Sequence, residues 1–178
     1  MHTQTINNTI MRTKRINLGV VNLGGTAMIS DPCYGMKTWC NSLVLGVLKG
    51  KYNAFVRIGK CGEWGERVTE LTLCHESRKP FTEIKHLEHF SSRIGVDSGT
   101  CGVYDFDYFD KTHYDNNAND DWYEKNVMND FYNTKEQAFI TDNKGVHSCS
   151  GYGDGMYHAY VKRGEDDQVF QITIKFII

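Results

Sequence analysis

Three short segments pair an aspartate with turn-forming neighbours, and each holds residue types able to contact a polar ligand. The first is Ser30-Asp31-Pro32-Cys33-Tyr34, followed by Trp39-Cys40. An Asp before Pro is held extended and starts a turn, which places its carboxylate just past a strand end. Asp31 would then contact a ligand, with Tyr34 and Trp39 as flat walls for a ring. In the competing reading the carboxylate accepts local backbone N–H bonds and the rings are core. The frequency of such turns favours that second reading.

The second segment is Val96-Asp97-Ser98-Gly99-Thr100-Cys101-Gly102. Its two glycines allow a sharp bend that exposes backbone N–H groups beside the hydroxyls of Ser98 and Thr100, a concavity suited to phosphate or carboxylate. The spacing is neither a Walker loop nor a dinucleotide fingerprint. A β-bulge flanked by turn residues accounts for the same pattern. The third segment, Ser148-Cys149-Ser150-Gly151-Tyr152-Gly153-Asp154-Gly155-Met156-Tyr157, sets Asp154 between glycines. That is a turn signal, and also a place where backbone approaches a ligand closely, beside Tyr152 and Tyr157. Arg67, after Trp64-Gly65-Glu66, is a candidate counter-charge for an anion.

In that order, a Ser-Asp-Pro, a central Val-Asp-Ser-Gly and a late Gly-Asp-Gly-x-Tyr before a final alternating strand, the segments resemble a bacterial and phage family, domain of unknown function 4241. The resemblance runs from about Ile29 to Ile178. It implies a β-rich fold and a phage or accessory-gene, anti-defence setting, and it implies no activity.

Other chemistry finds less footing. No Cys-x-x-Cys occurs, and Cys33 and Cys40 are too far apart for a zinc knuckle, so neither a metal nor another cofactor is expected. Asp115 to Asp121 resembles a calcium loop, but Asp120 stands where Gly is needed and Asn126 where a bidentate Glu belongs. A cysteine hydrolase would pair Cys101 or Cys149 with His75 or His147, without a recognised catalytic spacing. A non-enzymatic protein is favoured over an enzyme.

The whole chain narrows the setting. Its 178 residues suit one domain, and the net charge of -2 removes the broad basic field that nucleic-acid polymers require. The start, MHTQTINNTIMRTKR, has no signal-peptide core, and the longest apolar run is Leu43 to Leu48. A cytoplasmic protein away from membranes is expected, with all six cysteines reduced. Residues 1–14 read as a flexible tail, with Met11 an alternative start, and 15–178 as a single β-rich domain.

Period-two alternation dominates that domain. It marks strands around Ile16 to Val20 and Ala27 to Ser30, a hairpin of Leu43–Val47 with Tyr52–Ile58, and strands over Val68–His75, Ile94–Tyr104 and Met156–Val161. The clearest is the C-terminus, where Met156–Val161 leads through Arg163-Gly164-Glu165-Asp166 into Phe170, Ile172, Ile174, Phe176 and Ile178 as a half-buried antiparallel hairpin. One helix is expected from Asp121, with Glu124 completing a capping box and Tyr123, Val127 and Phe131 on one face. A weaker one is expected over Thr82 to Phe90. The sum is an α+β, mostly β domain: an antiparallel sandwich or strongly curved sheet with one or two short helices.

The leading expectation for function is a non-enzymatic protein that sequesters a small polar ligand, such as a nucleotide-derived signal. Next comes a protein-binding inhibitor or immunity-type protein, and then a hydrolase with a Cys- or Asp-based site. Homo-oligomerisation stays open.

Overall fold

The computed structural model describes residues 13–114, 121–133 and 136–177. Eleven strands appear among them: β1 (Thr13–Leu23), β2 (Thr26–Ser30), β3 (Ser42–Leu45), β4 (Gly50–Lys60), β5 (Glu66–His75), β6 (Glu88–Val96), β7 (Thr100–Asp105), β8 (Ala138–Thr141), β9 (Gly145–Cys149), β10 (Gly155–Arg163) and β11 (Val169–Lys175). They form a six-stranded sheet, β1-β4-β5-β11-β10-β6, and a five-stranded sheet, β3-β2-β7-β9-β8. Every pairing between these strands is antiparallel. The fold is a mostly-β antiparallel sandwich with two short helices.

Alternation decides which side chains enter the core. Leu71 and Leu73 of β5, Ile172 and Ile174 of β11, and Val103 and Val146 of the second sheet are all buried between the layers. Along the outer face of the larger sheet, Glu70 is clamped between Arg57 and Lys175, its partners directly across β4 and β11. Opposite charges in register stabilise neighbouring strands by some tenths of a kcal/mol up to about 1 kcal/mol.

Two helices cover the outer face of the second sheet. α1 (Phe106–Thr112) is capped by Asp105, whose carboxylate accepts the Tyr108 N–H. The other, α2 (residues 121–133), is π-helical over Glu124–Met128. Its expected apolar face is the one that packs: Tyr123 and Val127 are buried, and the Phe131 ring meets Phe139 at 5.0 Å.

Several expectations from the sequence need correction. β3 pairs with β2 rather than forming a hairpin with β4, because the chain between them turns at Gly46 (φ 68) and crosses to the other sheet. Leu43 and Leu45 are left exposed, whereas Val44 and Val47 enter the core. Ile94 to Tyr104 is two strands in different sheets, broken at Gly99 (φ 70). Thr82 to Phe90 holds a single 3-10 turn, Ile84–His86, before pairing with β10 draws the chain into β6. α1 is an unexpected helix. Thr13 and Lys14, assigned to the tail, pair with Gly59 and Ile58. The Asp115–Asp120 part of the calcium-like run lies outside the described residues.

Candidate functional site

The chain passes between the sheets at β6→β7 and at β9→β10, and the second and third aspartate segments are those two crossings. The first segment is the turn that follows β2. Asp31 joins it to the second. Its Oδ1 accepts the Cys33 N–H at 2.9 Å and the Ser98 hydroxyl at 2.7 Å. Its Oδ2 accepts the N–H groups of Asp97 at 2.8 Å and Ser98 at 2.7 Å. The second and third segments meet where Ser150 N–H donates to the Gly99 carbonyl at 3.0 Å. The Tyr157 hydroxyl closes the third, 2.7 Å from the Ser150 carbonyl and 2.5 Å from that of Gly153.

A line of hydroxyls continues from Asp31. Ser98 spends its proton on the carboxylate, so Thr100, 2.7 Å away, donates to Ser98, and Tyr123 at 3.4 Å donates to Thr100. This line fastens α2 to the β6→β7 crossing. On the outside, the Tyr34 hydroxyl donates to the Asp97 carboxylate, and that bond, more than burial, pushes the phenol's pKa up. Trp39 stands edge-on to Tyr34, ring centroids 6.3 Å apart, and its ring lies against Gly95.

Asp31, Tyr34, Trp39, Asp97, Ser98, Thr100 and Tyr157 therefore form one connected junction. Its centre is closed. Asp31 is 0 % exposed and both of its oxygens are occupied, so it presents nothing to a ligand and acts as the tie of a turn. Asp97 and Asp154 remain exposed. Tyr152 and Arg67 belong elsewhere: Tyr152 meets the Trp64 ring at 5.5 Å, and Arg67 lies near Cys149, lowering a thiol that burial raises.

The thiols around the junction are quiet. Burial, assisted by the carboxylates of Asp31 and Asp97, pushes Cys40 up to about 12. Cys101, fully buried, is also pushed well up. Cys101 faces the core, whereas His147 sits on the opposite face of its sheet beside Thr141, so the two do not form a catalytic pair. None of the six cysteines is in a disulfide.

A cation-rich cleft lies on the outer face of the larger sheet. Arg78 and Lys79 come from the β5–β6 loop, Lys162, Arg163 and Glu165 from the β10–β11 hairpin, and the rings of Phe81 and Phe170 form its floor. Its volume is about 480 Å³. Gln171 holds the loop in place, receiving the Phe81 N–H and donating to the Phe81 carbonyl, each at 2.8 Å. The two rings are 6.3 Å apart, Lys162 Nζ is 4.9 Å from the Phe81 centroid, and the Arg78 guanidinium is 5.7 Å from that of Phe170. Arg163 is engaged by Glu88 and Asp167. Among the described residues, Arg78, Lys79 and Lys162 form no ion pair. Sequence reasoning missed this cleft. Its only signal was two basic dipeptides, Arg78-Lys79 and Lys162-Arg163, both in segments read as structural.

No curated protein and no solved structure matches the chain. A family profile matches residues 64–174, more than half of the chain, including every residue of the cationic cleft and the second and third aspartate segments but not Asp31. The chain thus belongs to the family described as protein of unknown function DUF4241.

Proposed function

We propose that the protein binds and sequesters a small anionic ligand that carries a planar ring, of the nucleotide-derived kind, without transforming it. The observation that carries this reading is the cleft formed by Arg78, Lys79, Lys162, Phe81 and Phe170: three cations that form no ion pair among the described residues stand beside two rings. Its volume falls within the range of small-molecule sites. Unpaired cations attract phosphate, and a phenyl face accepts a stacked base, so one ligand would satisfy both. The closed junction at Asp31 serves this reading as scaffold, not as the site. No group at the cleft has the arrangement of an activated nucleophile and base, which favours holding a ligand over converting it.

The test is native mass spectrometry of protein purified from its natural host, with calorimetric titration of adenosine, AMP and ATP. The nucleotides should bind and adenosine should not, with affinity falling as salt rises. Lys162→Glu and Arg78→Glu should each remove binding without altering the melting temperature. A native spectrum free of small molecules, together with no heat from AMP or ATP, would overturn the proposal.

A second reading, a protein-binding inhibitor or immunity-type protein, is favoured by the exposed pair Trp64 and Tyr152, 60 % and 50 % accessible. Large aromatics are common anchors of interfaces. A partner recovered from the host that is lost on Trp64→Ala would support it.

A further inference from the structure

A cleft lies between the two sheets beside an irregularity in β1. β1 carries a bulge between Asn17 and Gly19, with Gly19 at φ 124 and its N–H held by the Asn17 side chain at 3.0 Å. Beyond the bulge, β1 is drawn to the second sheet, Asn22 N–H donating to the Asn143 carbonyl at 2.7 Å. Before it, Ile16, Asn17 and Leu18 of β1 face Ala138, Phe139 and Ile140 of β8. A cleft of about 580 Å³ opens between them.

Its walls are apolar, with Ile16, Leu18 and Ile58 on one side and Ala138 and Ile140 on the other. Its ionisable groups among the described residues are acidic, Glu66 and Glu136, and no described Lys, Arg or His lines it. Lys14 and Lys60 lie with Glu66 in an adjoining shallower cleft, and among the described residues neither forms an ion pair with it. At one end Gln137 bridges the sheets: its Nε2 donates to the Glu66 carbonyl at 3.1 Å. That bond settles the amide's orientation and leaves Oε1 buried with no donor among the described residues. A buried acceptor without a partner is costly, and a ligand N–H would relieve the cost.

We infer that this cleft is a second binding site, for an organic ammonium with an apolar body. The body packs between Ile16, Leu18 and Ile140, the ammonium donates to Gln137 Oε1, and the Glu66 carboxylate supplies the counter-charge. The acidic lining excludes anions, so this site and the cationic cleft select opposite kinds of ligand.

The experiment titrates the full chain with naphthylmethylamine and, as a matched anion, naphthylacetate, followed by calorimetry and by amide shifts in NMR. The amine should bind at one site, shifting residues of β1 and β8, and the acetate should not. Gln137→Met should weaken the amine about tenfold, a change of about 1.4 kcal/mol. Ile16→Lys, at a half-exposed position, puts the chain's own ammonium in the cleft and should abolish binding, with the melting curve as the check on folding. Lys162→Glu should bind the amine like the parent, so this site can fail while the anion site stands, and the reverse. Equal binding of amine and acetate, unaltered affinity in Gln137→Met, or no binding of the amine would overturn the inference.

Discussion

The carboxylate of Asp31, at the end of β2, receives the backbone N–H of Ser98, 67 residues later, at 2.7 Å, and the Ser98 hydroxyl at the same distance. One buried side chain thereby holds the turn after one strand against the crossing between the sheets. Asp105 does the same at the β1→β2 crossing, where its Oδ2 accepts the Gly24 N–H at 2.6 Å while its Oδ1 caps α1. Both are scaffold carboxylates, and their removal leaves buried donors without acceptors.

Asp31→Ala should therefore lower stability by about 2–5 kcal/mol, since several donors lose their acceptor at once. Asp154→Ala, at an exposed turn, should cost under about 0.5 kcal/mol. Urea unfolding of the two variants makes the comparison. Equal midpoints would contradict the assignment of Asp31 as a tie.

Gly95 is the floor beneath Trp39. A Cβ built there would fall 2.2 Å from the indole ring. Gly95→Ala should destabilise by about 1–3 kcal/mol through that clash. In the Trp39→Ala background the same change should cost much less, and a double-mutant cycle reads the difference. Additive effects would mean that the ring does not rest on the glycine.

Two histidines link stability to pH. Burial lowers His113 and His147 from 6.5 to about 4. His113 stacks on Phe109 with centroids 3.8 Å apart and has Nε2 3.2 Å from the Pro32 carbonyl, so Nε2 carries the single proton of a neutral ring. In the unfolded chain both rings protonate near pH 6.5, whereas in the folded chain they resist until about pH 4. The unfolded state binds more protons across that window. Stability is then fully present above pH 6.5 and falls as the pH drops towards 4, by at most about 3 kcal/mol per histidine. Urea midpoints from pH 4 to 8 should show the loss, and His147→Leu should shrink it by about half. A flat profile would refute the linkage.

The thiols offer a test of burial. Cys40, Cys61, Cys74 and Cys101 are buried, and Cys33 and Cys149 are partly covered. Desolvation pushes Cys74 up to about 11 and Cys40 up to about 12, so little thiolate forms at pH 8. A disulfide reagent should react quickly with no more than two thiols in the native protein and with all six after denaturation. Rapid reaction of four or more would show that the core around Asp31 opens readily.

Much of the architecture was legible from local pattern. Alternation at Ile172 and Ile174 located β11, and the spacing of Tyr123, Val127 and Phe131 located the packed face of α2, because side-chain period follows directly from backbone geometry. The order of the three aspartate segments pointed to the family. Pairing was legible for the C-terminal hairpin of β10 with β11 but not for β3: Leu43 and Leu45 alternate as well as any strand, yet β3 joins β2, since register and partner depend on surfaces distant in the chain. The same holds for the sites. Whether Asp31 faces a ligand or its own backbone depends on where Ser98 lies, and Arg78 meets Phe170 only because β11 passes beneath the β5–β6 loop. Residue type and spacing determine which local bonds are available, and tertiary packing decides which of them are already taken.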